Sequence, residues 1–102
     1  MESCRELGQK VNDYIVSFRE NTINEVTESP LYRNYKANNY QVDCSCPRFG
    51  SGEAKGILKE TIRGTDLFIM TDVCNYSLTY TVNGHLNHMS PDDHYQDLKR
   101  II

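Results

Sequence analysis

Between Pro47 and Glu53 the chain reads Pro-Arg-Phe-Gly-Ser-Gly-Glu, which sets an aromatic ring and a carboxylate two residues to either side of a hydroxyl. Phe49 offers a face for stacking, and Ser51 and Glu53 offer hydrogen-bonding groups beside it. Gly50 and Gly52 carry no Cβ, so the backbone between them can come close to a bound molecule. This is a pattern suited to contact with a nucleotide. It also fits a plain glycine-rich connection between strands with a buried Phe.

Other groupings are weaker. Ile62-Arg63-Gly64 reads as a turn joining two strands, with Thr61 beside it. Cys44-x-Cys46 and His85-x-x-His88 have the ligand types of a tetrahedral zinc site. The two pairs lie about forty residues apart, and the cysteines fall inside a strand pattern, so buried thiols and loop histidines are the favoured account and no metal site is expected. Asp92 and Asp93 suit a helix start, and Glu53 and Glu60 stand at opposite ends of one strand, so neither pair makes an acid–base couple. A Gly-x-x-x-x-Gly-Lys phosphate loop does not occur in the sequence, and no residue is assigned a catalytic role.

The elements that must position these residues fit into one domain. With 102 residues, 38% apolar and 25% charged, the chain can build a modest core and at most one βαβ layer. A net charge of −3 without a block of like charges argues against nucleic acid and anionic membrane surfaces as partners. The amino terminus has neither a basic stretch nor an apolar run, which points to a cytoplasmic protein with its four cysteines reduced.

Leu7, Val11, Ile15 and Phe18 recur at helical spacing and predict a helix over residues 4–20, opened by a Ser3/Glu6 capping box. A short second helix is expected before Pro30. Alternation predicts a strand over 40–46, closed by Pro47, and further strands over 54–60 and 67–73. Leu67-Phe68-Ile69-Met70 is apolar on both faces, as a central parallel strand would be. Residues 75–90 read as a long polar loop. Ser90-Pro91-Asp92-Asp93 then starts a helix, with His94 as a partly covered helix residue.

The order of these motifs resembles the amino-terminal half of the phosphoribosyl pyrophosphate synthetase (ribose-phosphate pyrophosphokinase) family. Phe49-Gly-Ser-Gly-Glu53 is similar to its Phe-x-x-Gly-Glu loop, and Glu60-Thr-Ile-Arg63-Gly64-Thr-Asp66 to its Glu-x-Val-Arg-Gly-x-Asp segment. Cys74-Asn-Tyr-Ser77 and Asn87-His-Met-Ser-Pro-Asp-Asp-His94 look similar to phrases of a divergent bacterial branch.

The resemblance implies an α/β fold with an open, mostly parallel sheet and flanking helices, present over residues 1–102 only in part. It implies a role for Phe49, Ser51 and Glu53 at the adenine of ATP in a neighbouring subunit's site, with Ser51 standing where many members carry Asp or Asn. It also implies a regulatory phosphate pocket using Thr61 and Arg63. The intact enzyme would take ATP with Mg2+ and ribose 5-phosphate, and would be a homo-oligomer joined through this domain.

The family's catalytic loops and magnesium ligands would follow Ile102, and a helix ending on two isoleucines without a stop signal fits that expectation. Two other readings stand beside this one: a catalytically silent regulatory subunit of the same family, and a small metal-binding module on Cys44, Cys46, His85 and His88.

Overall fold

The computed structural model describes residues 1–23 and 37–102. A single 3-10 turn, Glu2–Cys4, leads into helix α1, Arg5–Ile23. Strands β1, Cys44–Ser45, and β2, Ile57–Leu58, form one antiparallel pair. Strands β3, Thr79–Val82, and β4, His85–His88, form a second, and helix α2, Pro91–Ile101, follows. The second helix expected before Pro30 lies outside the described residues.

The α/β class is therefore found, but the open, mostly parallel sheet is not: both pairs among the described residues are antiparallel and two-stranded. Residues 67–73, expected as a buried central strand, pair with no other strand among the described residues. Phe68 is 87% exposed, and Leu67, Ile69 and Val73 are each more than a third exposed. A strand apolar on both faces needs partners at both edges and cover above and below, and the described residues provide neither.

Beyond β1 and β2 the pairing continues past Pro47. An Arg48–Ala54 bridge keeps the same register as the Cys44–Leu58 and Ser45–Ile57 pairs, and Lys55 N donates to Pro47 O at 3.1 Å. Pro47 lacks a donor but still accepts, so it thins the ladder where the sequence suggested an end. The two strand segments and the glycine loop are thus one hairpin.

The polar loop expected over 75–90 is instead the β3–β4 hairpin. Asn83 and Gly84 take φ of +50° and +81°, the pair of left-handed residues that a type I′ turn requires. Asn-Gly between two alternating segments is a hairpin signal in its own right. Its tip adjoins the glycine loop, with Asn83 Oδ1 3.8 Å from where a Cβ on Gly50 would lie.

Helix α1 forms as its periodicity predicts, yet it docks through polar residues. Asn12 Oδ1 accepts from Tyr40 N at 2.8 Å, Arg19 donates to Tyr40 Oη and to Ala37 O, and Gln41 Nε2 donates to Gln9 Oε1. Leu7, Val11, Ile15 and Phe18 remain substantially exposed. The expected Ser3 cap is also absent: Ser3 Oγ accepts from Asp72 N at 2.9 Å and meets Thr71 Oγ1, pinning the amino terminus to the 71–75 turn.

Helix α2 starts as predicted. Ser90 Oγ accepts from Asp93 N at 3.2 Å, and Ser90 N donates to Asp93 Oδ2 at 2.9 Å, which closes a capping box. His94 is buried, not partly covered, with Nε2 2.7 Å from Asn75 O. The last turn of α2 lies directly on the first hairpin. A Cβ on Gly56 would sit 2.1 Å from Arg100 O, so only glycine allows this approach.

Two stability changes follow from these contacts. Gly56→Ala should lower the thermal midpoint by roughly 5–15 °C, since the methyl must displace helix backbone and not a pliable side chain. Ser90→Ala should cost about 1 kcal/mol in a denaturant titration by removing the cap of α2.

Candidate functional site

The Phe49–Glu53 segment is a closed turn. Gly52 N donates to Phe49 O at 2.9 Å, Phe49 N donates to Glu53 O at 2.7 Å, and Gly52 sits at φ +87°. This is a three-residue hairpin loop with a left-handed residue at its end, a position glycine occupies at little cost. Phe49, Ser51 and Glu53 are all exposed on it. Phe49 at 55% exposure is no core residue, so the alternative of a strand connection built over a buried Phe does not describe it.

The loop is fastened from behind by two arginines. Arg48, almost fully buried, donates from Nη1 to Gly52 O at 3.3 Å, lies 4.5 Å over the Tyr80 ring, and donates from Nη2 to Asp97 Oδ2 at 3.3 Å. Asp93 Oδ1 is a second carboxylate oxygen 3.7 Å from the same nitrogen. Arg100 of α2 donates from Nε to Glu53 Oε1 at 2.9 Å and from Nη2 to the same oxygen.

Asp97 stands between the two arginines. Its Oδ1 is 3.2 Å from Arg48 Nη2 and 3.7 Å from Arg100 Nη1, within ion-pair range though neither contact is aligned as a hydrogen bond.

The charges around the loop respond to these contacts. The Arg100 hydrogen bonds, reinforced by its charge, hold the Glu53 carboxyl below the usual glutamate range. Burial pushes Asp97 up despite Arg48 and Arg100 beside it. Burial alone would also raise Asp93, but the amide and hydroxyl of Ser90 hold it low. The half-buried Cys46 thiol, with Sγ 3.8 Å from Asp97 O, is pushed up to about 11 by desolvation and stays protonated.

Thr61 and Arg63 lie on a separate turn. Thr65 N donates to Ile62 O at 3.2 Å and Gly64 has φ +74°, the geometry of a type II turn, while Arg63 N donates to Thr61 Oγ1. The Arg63 side chain is exposed and makes no ion pair among the described residues. No hydrogen bond or ion pair among the described residues joins this turn to Phe49, Ser51 or Glu53.

Cys44, Cys46, His85 and His88 do not form a cluster: no group of three or more His, Cys, Asp or Glu residues able to hold a metal ion occurs among the described residues. All four cysteines are free thiols.

Arg48, Asp97 and Arg100 were not marked as site residues by motif. Asp97 and Arg100 carried a local signal, an acid and a base three residues apart on a helix. Arg48 carried none, because its partners come from two distant elements.

No described helix is long and apolar enough to cross a membrane. Comparison with curated proteins and with solved structures returns no match. The family model of the N-terminal domain of ribose phosphate pyrophosphokinase matches residues 1–102, the whole of the chain. With the loop motif and the helix that backs it, this places the chain in the ribose phosphate pyrophosphokinase family, as a member of its amino-terminal domain.

Proposed function

We propose that this chain supplies the adenine-contacting edge of a ribose-phosphate diphosphokinase, the enzyme that passes the terminal diphosphoryl group of ATP to the anomeric hydroxyl of ribose 5-phosphate and releases AMP. The observation that carries the reading is an exposed Phe49 ring on a turn fixed at both ends, with an ionised Glu53 two residues beyond Ser51. An aromatic face held still can stack a base with little ordering cost, and a carboxylate accepts from the exocyclic amine of adenine. Ser51, with a shorter side chain than Asp or Asn, adds a hydroxyl to that edge.

The contribution is binding and orientation. Diphosphoryl transfer depends chiefly on holding the phosphates and the hydroxyl in line and neutralising charge. Magnesium accompanies ATP in the family; no group of three or more His, Cys, Asp or Glu residues able to hold a metal ion occurs among the described residues. In this reading the enzyme is a cytoplasmic homo-oligomer in which the loop faces a neighbouring subunit's phosphates. Thr61 and the exposed guanidinium of Arg63 form a second, regulatory contact for phosphate, which a planar forked donor suits.

The test is AMP release from Mg·ATP and ribose 5-phosphate by the intact protein carrying this domain. Phe49→Ala should raise the KM for ATP by roughly tenfold through the lost stacking, with the KM for ribose 5-phosphate much less affected. Residues 1–102 alone should release no AMP. Turnover by the isolated domain, or an unchanged KM for ATP in the Phe49→Ala protein, would sink the reading.

A further inference from the structure

Arg100 approaches Glu53 from one side only. Its Nε and Nη2 both donate to Oε1, and Oε2 accepts no hydrogen bond among the described residues. The side chain doing this is itself four-fifths covered, whereas the Glu53 side chain is 62% exposed. Arg100 is held at the right height because its own carbonyl rests on Gly56, and its Nη1 lies near Asp97, the carboxylate shared with Arg48. A largely covered, braced cation therefore fixes an exposed anion and leaves one of its two oxygens for something else.

We propose that Arg100 is a positioning residue for base selection, orienting Glu53 so that Oε2 meets the exocyclic amine of an amino-purine nucleotide and disfavours an oxo-purine. The inference rests on the reading of Phe49, Ser51 and Glu53 as the base-contacting edge. An unaided glutamate on a loop would sample several rotamers, and each binding event would then have to freeze them. Pairing with Arg100 removes that freedom beforehand and keeps the carboxyl ionised. An ionised carboxylate has no proton to give, so it accepts from a 6-amino group and repels a 6-oxo group.

The experiment compares Mg·ATP with Mg·GTP in the intact protein. Arg100→Met should raise the KM for ATP by about tenfold, with kcat falling far less, and should erode the preference for ATP over GTP. Arg100→Lys should recover part of both effects. Glu53→Gln should lower the preference as well, and adding Arg100→Met to it should cost little more, because the two residues act through one contact.

The inference is overturned if Glu53→Gln lowers the preference while Arg100→Met leaves it within about twofold, or if the two effects add in full. In both of those cases the base-contacting reading of Phe49 and Glu53 survives. If neither Phe49→Ala nor Glu53→Gln changes the KM for ATP, that reading falls and this inference with it.

Should Arg100→Met fail to fold, the Glu53 carboxyl can be titrated by NMR in the unaltered and Arg100→Lys proteins. A midpoint below the usual glutamate range that moves upward in Arg100→Lys supports the inference, and an ordinary midpoint in both overturns it.

Discussion

The arrangement turns on the buried guanidinium of Arg48. One planar group binds the glycine loop through Gly52 O, covers the ring of Tyr80 in the second hairpin, and pairs with Asp97 and Asp93 of α2. A charge out of water is costly unless it is paired and hydrogen-bonded, so its partners are held as firmly as it is. Three elements distant in sequence thereby share one fastening point. The apolar interior is slight by comparison: among the described residues the buried apolar side chains are Ala54 and Met89, while Asn12, Arg19, His94 and Asp97 are buried polar ones. Directional contacts, more than bulk burial, set the relative placement of loop, hairpin and helix.

Much of this was legible where the determinant is local. The cap of α2 reads directly from Ser90-Pro91-Asp92-Asp93, and α1 from its periodicity. The turn at Gly64 reads from its composition. The glycine loop reads in sequence either as a nucleotide contact or as a connection over a buried Phe, and glycine content alone does not choose between them; in the fold Phe49, Ser51 and Glu53 are all exposed.

What escaped was long-range or was a competing local signal given too little weight. Asn83-Gly84 is a hairpin signal, but the polar residues around it share the composition of a linker and mask it. The parallel strand over 67–73 was inferred from apolar content, which states a need for burial without supplying the neighbours that satisfy it. Helix α1 shows the same limit from the other side. Its apolar stripe formed, but Asn12 and Arg19 found hydrogen-bonding partners in the 37–41 segment, and those contacts decided which face docks.

The unbroken register of the first hairpin has a consequence for how this region can vary in length. Side chains alternate between faces along a strand, so Cys44, Cys46 and Arg48 share the covered side, and Pro47 and Phe49 the open one. Inserting or deleting one residue between Cys46 and Arg48 reverses that parity, sending the ring inward against α2 and the guanidinium out to solvent. Adding residues in twos on each strand preserves it. Related sequences that keep this loop in use should therefore differ here by even steps, matched on the two strands.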